Sequence, residues 1–304
     1  MTINTTSDVY IKSFVAYLEV EKNFSKHTVK AYKSDIISFF IWCNNMKPEK
    51  VDYNKLREYI YFIQKFNYQK TTLSRKIASL RTFFKYMYKV QYIPTNPAEN
   101  LSSPKKPKSL PKFLTDDEML HILDNVNIST PAGLRNKAIL ELLWATGMRI
   151  SELSGLDFEN LNLDESEITV FGKGAKERIV LISDRAKKYL KQYIDVARPI
   201  ILNESPANMS DNKAVFVNKT GYRLQPQSVR KTINDIVDKI QLPKHVTPHV
   251  FRHSFATKMI ENGADLRVVQ ELLGHASISN TQIYTHISSQ HLVQEYMKAH
   301  PHAG

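Results

Sequence analysis

The run SSPKKPKSLPKF at residues 102 to 113 sets three prolines and four lysines among almost no apolar side chains. Proline ends helices and strands because it lacks the amide donor, and a dense run of charge cannot enter a core. The run therefore reads as an extended basic linker. Whatever lies on either side must bury its own apolar surface. The 304 residues, 42% of them apolar, are expected to form two domains, 1–103 and 113–304, joined across 104–112.

In the first domain apolar side chains recur at helical spacing. Ile11, Phe14, Val15 and Leu18 form one stripe, and Val29, Tyr32, Ile36, Phe39, Phe40 and Cys43 a second. Leu56, Ile60 and Ile63 form a third; Ile77, Leu80, Phe84 and Met87 form a fourth, which Pro94 and Pro97 bring to an end. A four-helix bundle is the simplest result. Cys43, the chain's single cysteine, reads as a core residue, and with no internal disulfide possible a reducing compartment follows. No stretch reaches the roughly 18 apolar residues of a membrane span, and the N-terminus MTINTTSDVY lacks a secretory pattern. The expectation is a cytoplasmic protein with no membrane partner.

The formal net charge of +12 is unevenly divided. Residues 1–112 hold 20 lysines and arginines against 8 acids, whereas residues 113–304 hold 22 of each. Lys26, Lys30 and Lys33, and separately Arg81, Lys85 and Lys89, fall at intervals of three and four and line up along helix faces. Such rows are solvated faces in many proteins. Several in one acid-poor domain suit phosphate contact, because neutralising a polyanion releases its condensed cations. The DNA-contact candidates are Lys26, His27, Lys30, Lys33, Arg75, Arg81, Lys105 and Lys106.

Beyond the linker, Thr115 to Glu118 has the form of a capping box, and a second helix is expected over 131–146. The alternating stretches 167–171 and 178–182, joined by Gly-Lys-Gly-Ala-Lys, read as a β-hairpin, with a further strand pair at 214–217 and 222–224. Helices are expected over 226–240, 249–261, 265–273, 279–287 and 289–299. The fold class is mainly α, with a small antiparallel sheet in the second domain.

Four segments of that domain carry side chains suited to chemistry. ATGMRISEL places Arg149 just past a helix-breaking glycine, with Glu152 three residues on; FGKGAKER puts Lys173 at the hairpin tip. The Gly-Lys-Gly here lacks the spacing and trailing hydroxyl residue of a phosphate-binding loop, which argues against a nucleotide site. In HVFRHSFAT, His249 and Arg252 share a helical face after the capping Thr247 and Pro248. His249 and His253 are four apart, but Val250 stands where a zinc-protease helix needs Glu, so no metal site is expected. LGHASISNTQIYTH supplies His275 and Tyr284. Arginines can hold both non-bridging oxygens of a phosphate; histidine and lysine can move protons, and tyrosine needs such neighbours to act as a nucleophile at neutral pH.

These ordered segments, with FSKHTVKAYKSDI, TTLSRKIASLRTFFKYM and the ending EYMKAHPHAG, resemble the tyrosine recombinase (phage integrase) family, its Xer branch in particular. The resemblance implies a four-helix, SAM-like core-binding domain and a mixed α/β catalytic domain. It makes Tyr284 the nucleophile of a 3′-phosphotyrosyl bond, with Arg149 and Arg252 on the scissile phosphate. Lys173 would be the general acid for the 5′ oxygen, His249 an acid/base and His275 a phosphate hydrogen-bond partner. Glu152 would be a structural partner. No cofactor, metal or ATP is implied.

The same resemblance implies double-stranded DNA with paired recombination sites, a homo- or hetero-tetramer on that DNA, and a C-terminal helix that docks on a neighbour. His302 stands where many relatives have Arg, a departure from the family pattern in that tail. A second Xer-type recombinase and a septal DNA translocase are the further partners implied. Resolution of chromosome or plasmid dimers is the role expected, favoured over mobile-element integration by the compact length without an arm-binding domain. A catalytically silent DNA-binding protein on the same fold is the remaining alternative. The basic first domain generates a prediction: affinity for duplex DNA will fall steeply with salt, as a straight line in logarithmic coordinates whose slope counts the phosphates neutralised. Gel-shift titrations from low to physiological salt measure it, and a flat line would remove that domain from the contact surface.

Overall fold

The computed structural model describes residues 5–102, 113–172, 177–205, 213–274 and 289–301. The chain divides into two compact units, Met1–Ser109 and Leu110–Gly304.

The first unit consists of α1 (Thr5–Val20), α2 (Lys26–Trp42), α3 (Tyr53–Gln64) and α4 (Lys70–Lys89), as the four stripes require. Helix starts follow the local chemistry of orphan amides: Ser25 caps α2 by accepting from the Thr28 amide, and Asp52 caps α3 by accepting from the Lys55 amide at 2.7 Å. The core is aromatic, with Phe14, Phe39, Phe40, Phe83 and Phe84 all fully buried. Their rings meet edge-on, as in Phe14 with Phe83 at 5.2 Å and Phe39 with Tyr59 at 5.1 Å. Cys43 is buried here with a free thiol.

One polar contact ties α2 to α4 inside this core. Asp35, almost fully buried, accepts from Arg75 and, at 3.2 Å, from the buried Lys76. Arg75 thus spends donors on Asp35 and on the Ala31 carbonyl at 3.4 Å. Lys26, His27, Lys30, Lys33 and Arg81 are exposed, whereas Lys105 and Lys106 lie outside the described residues.

The second unit is built around α6 (Pro131–Thr146), flanked by α5 (Asp116–Asp124), α8 (Asp184–Gln192), α10 (Pro226–Lys239) and α11 (Pro248–Glu261). Residues 137–146 of α6 are all buried, as befits a helix that is apolar nearly all round. The buried charges it carries, Lys137 and Glu141, are paired internally. Lys137 donates to the Leu123 carbonyl at 2.6 Å and meets Glu141 at 3.0 Å, and Arg185 reaches the same carboxylate at 2.8 Å. The capping box at Thr115 and Glu118 is present.

A three-stranded antiparallel sheet orders β1 (Leu161–Asn162), β2 (Glu167–Phe171) and β3 (Glu177–Leu181), with Ile168 opposite Val180 and Val170 opposite Arg178. Short helices α7 (Ile150–Ser154), α9 (Arg198–Asn203) and α12 (Leu266–Leu273) complete the unit with α13 (Ser289–Ala299). A π-helical turn, Tyr193–Ala197, links α8 to α9. α13 packs on its own unit, where buried Tyr296 donates to the Ala145 carbonyl at 3.0 Å.

Two differences from the sequence reading have physical causes. The strand pair expected at 214–217 and 222–224 reduces to a single bridge between Val217 and Arg223. Asn218 closes the turn with its own side chain, accepting from the amides of Thr220 and Tyr222, and Arg198 takes the Ala214 and Val215 carbonyls. The helical run 184–203 was not anticipated, because Pro199 and the π-helical turn break its periodicity. The expected helix over 279–287 lies outside the described residues.

Removing Asp35 leaves Lys76 as an unpaired buried cation, so Asp35→Ala should lower stability by about 3–5 kcal/mol. Exchanging both partners for apolar residues, Asp35→Leu with Lys76→Met, should recover most of that loss. Urea denaturation followed by circular dichroism measures both, and a double variant no better than the single one would contradict the pairing.

Candidate active site

The site begins where α6 ends. Gly147 takes the left-handed conformation, φ 58°, and its amide closes the helix on the Leu143 carbonyl. A Cβ at this position would lie 2.5 Å from a ring carbon of Phe255 and 2.9 Å from Leu273, so the turn demands glycine on grounds of both conformation and space. Two residues later Arg149 stands at the N-cap of α7 with its side chain 40% exposed.

Arg252 arrives from the middle of α11, a helix started by Thr247, which caps it, and by Pro248 in its first turn. Its buried guanidinium donates to the Gly147 carbonyl at 2.8 Å and to the Leu273 carbonyl at the end of α12. The Gly147 turn thus joins two arginines 103 positions apart in sequence. His249, one turn earlier on α11, is exposed, as is His253.

Glu152 is the counter-ion of this cluster, its side chain only 3% exposed. It accepts from the Arg149 amide and from Arg149 Nη1, each at 2.8 Å, and from Arg178 Nη1 and Nη2 at 3.0 and 2.8 Å. Burial opposes its ionisation, but the hydrogen bonds from Arg178 and the Arg149 amide outweigh burial and hold the carboxyl below its ordinary value. Burial, helped by the Arg149 charge, pushes the Arg252 guanidinium down to about 10, which leaves it charged at neutral pH. Three guanidinia against one carboxylate leave a local excess of positive charge suited to an oxyanion such as phosphate.

Of the six residues singled out for catalysis, the structure brings Arg149 and Arg252 together and sets His249 on the same helix as Arg252. Lys173, His275 and Tyr284 lie outside the described residues. Among the described residues no three histidine, cysteine or acidic side chains are grouped to hold a metal. None of the described helices is long and apolar enough to cross a membrane.

Sequence reasoning missed Arg178. It occupies an inward position of β3, opposite Val170, while Ile179 beside it is 46% exposed. A charge facing in beside an apolar residue facing out inverts the strand pattern, and that inversion was a readable signal.

Residues 112–291 match the phage integrase family and residues 11–91 the N-terminal SAM-like domain of phage integrases. The tyrosine recombinase XerC of Thermodesulfovibrio yellowstonii is 41% identical over 297 residues, 98% of each chain. The tyrosine recombinase XerD of Lacticaseibacillus casei is 40% identical over 296 residues, covering 96% of this chain and 98% of its own. In fold, the XerH site-specific recombinase in its post-cleavage complex with a palindromic difH substrate superposes with a TM-score of 0.70. That match covers 97% of this chain and 85% of the other at 24% identity. The chain belongs to the phage integrase family, the tyrosine-type site-specific recombinases.

The lowered pKa of Glu152 has a consequence for stability. An unfolded glutamate titrates near about 4.3, and the folded one titrates lower, so the folded state binds fewer protons between the two values. The stabilisation from its arginine contacts is complete at neutral pH and drains away as pH falls below the unfolded value and through the folded one. The melting-temperature gap between wild type and Glu152→Gln should therefore be widest at neutral pH and shrink under acid. A gap that does not change with pH would mean that the carboxylate charge is not what stabilises.

Proposed function

We propose that this chain cuts and rejoins double-stranded DNA at specific sites through a 3′-phosphotyrosyl intermediate on Tyr284. The observation that carries the reading is the meeting of Arg149 and Arg252 at the Gly147 turn. Two fixed guanidinia with a carboxylate partner are what a phosphodiester needs to gain charge on its non-bridging oxygens.

In this reading the Tyr284 hydroxyl attacks phosphorus as the bond to the 5′ oxygen breaks. His249 takes the tyrosine proton, Lys173 protonates the departing 5′ oxygen, and His275 donates to the phosphate. The 5′ hydroxyl of a partner strand then reverses the step, so bond energy is conserved and no ATP is consumed. Lys26, His27, Lys30, Lys33 and Arg81 line the first unit's contact with the DNA backbone, with Lys105 and Lys106 in the linker 104–112.

Similarity to relatives named XerC and XerD supports resolution of chromosome or plasmid dimers in the cytoplasm by a homo- or hetero-tetramer on two sites. A second recombinase of this type and a septal DNA translocase fit that role. The C-terminal helix, seated here on its own unit, is the segment that would dock on a neighbour.

The test uses a nicked duplex carrying a site recovered from random DNA by repeated binding selection, followed by denaturing electrophoresis. Wild type should form a covalent band that Tyr284→Phe abolishes, and Arg252→Ala should slow its formation by about a hundred- to a thousandfold. A bound site that yields no adduct would speak against catalysis by this chain alone, in favour of a silent DNA-binding protein or a missing partner recombinase.

A further inference from the structure

We propose that Arg178 is a positioning residue for strand cleavage, one that touches no substrate but sets where Arg149 stands by neutralising Glu152. The inference rests on the reading above that Arg149 and Arg252 hold the phosphate.

Three donors of Arg178 are spent inside the protein. Nη1 and Nη2 grip the two oxygens of Glu152 at 3.0 and 2.8 Å, and Nε donates to the Leu272 carbonyl at 2.8 Å. Its side chain is 10% exposed, and with both Nη atoms on the carboxylate and Nε on a carbonyl the whole fork is committed to acceptors within the protein. The space for its guanidinium is reserved by Gly274, φ 64°, where a Cβ would lie 3.0 Å from Nη1. The Leu272 carbonyl it holds is next in sequence to the Leu273 carbonyl that receives Arg252. One side chain on β3 therefore braces both elements from which the two phosphate-facing arginines are held.

The physical reason is a competition. Glu152 is buried and ionised, so its charge must be met. With the fork of Arg178 on both oxygens, Arg149 owes it only the amide and one Nη1 contact, and the exposed remainder of that guanidinium is free to turn to a ligand. Without the fork, Arg149 alone has to neutralise the carboxylate and is drawn away from the phosphate. Lysine cannot replace the fork, because a single ammonium does not reach two carboxylate oxygens and a carbonyl in fixed planar geometry.

The experiment compares Arg178→Lys and Arg178→Met, alone and in the Glu152→Gln background, on the selected nicked duplex. Three quantities are read: the dissociation constant, the single-turnover rate of adduct formation at saturating protein, and the melting temperature. Expected is unchanged DNA affinity with a rate lower on the order of a hundredfold, the cost of a misplaced clamp. In Glu152→Gln, where no charge remains to be met, either Arg178 change should cost little more. Four results overturn the proposal. Wild-type rates in both variants would show that the clamp is idle. A loss equally large in the Glu152→Gln background would make Arg178 act by another route. Unfolding of both variants would make Arg178 a residue of the core. Absence of any adduct with wild type would remove the catalytic reading first, and this proposal with it.

Discussion

The geometry of the second unit depends on one left-handed residue. At Gly147 the buried helix α6 stops, the turn's carbonyl meets Arg252, and the backbone is released at Arg149. The ring of Phe255 and the side chain of Leu273 fill the space that any larger residue would claim. Both arginines thereby start from packed backbone, Arg149 two residues beyond the turn and Arg252 held on its carbonyl. Placement of this kind is what preorganisation means for phosphate chemistry, since donors already in position need not reorganise as charge develops.

Placing cations this close has an electrostatic cost, and that cost explains the company they keep. The Arg252 guanidinium is depressed by burial and by Arg149, so the cluster holds like charges against one another. Glu152 relieves part of it, which is why a carboxylate sits almost fully buried at the start of a five-residue helix. The relief is partial by count, three guanidinia to one carboxylate. On the proposed function, a monoanionic phosphodiester would offset part of the remaining excess, so ligand affinity and the internal repulsion of the site are two readings of the same charge arrangement.

Much of this was legible beforehand because it is local. Four apolar stripes at helical spacing predicted α1 to α4, and Thr247 with Pro248 predicted the start of α11. The glycine before Arg149 announced the helix end. The rest depended on tertiary contacts that carry no local mark. Nothing near Ala214 reveals that Arg198 will take its carbonyl and keep the expected strand pair to one bridge. The run 184–203 is helical although a π-helical turn shifts its register halfway, so no single stripe survives along it. Arg178 is the intermediate case, visible as a break in strand alternation but assignable only once Glu152 is seen opposite it.

On the proposed function, the two units divide the work along the line the charge already draws. Residues 1–112 carry the entire formal excess of +12, whereas residues 113–304 are neutral overall and gather three guanidinia around Glu152. Not all of the basic charge is unpaired: Lys76 is buried on Asp35, Arg75 is paired with the same carboxylate, and the exposed Lys89 with Glu21. Those pairs reduce the charge available to a polyanion and convert part of it into contacts between helices. Exposed cations such as Lys26, Lys30 and Lys33 of α2 and Arg81 and Lys85 of α4 remain for long-range attraction. On the proposed function, a diffuse field of this kind suits holding DNA of any sequence, whereas the chemistry needs one phosphate held at fixed distance. A neutral second unit with a small cationic pocket achieves that without adding its own indiscriminate pull.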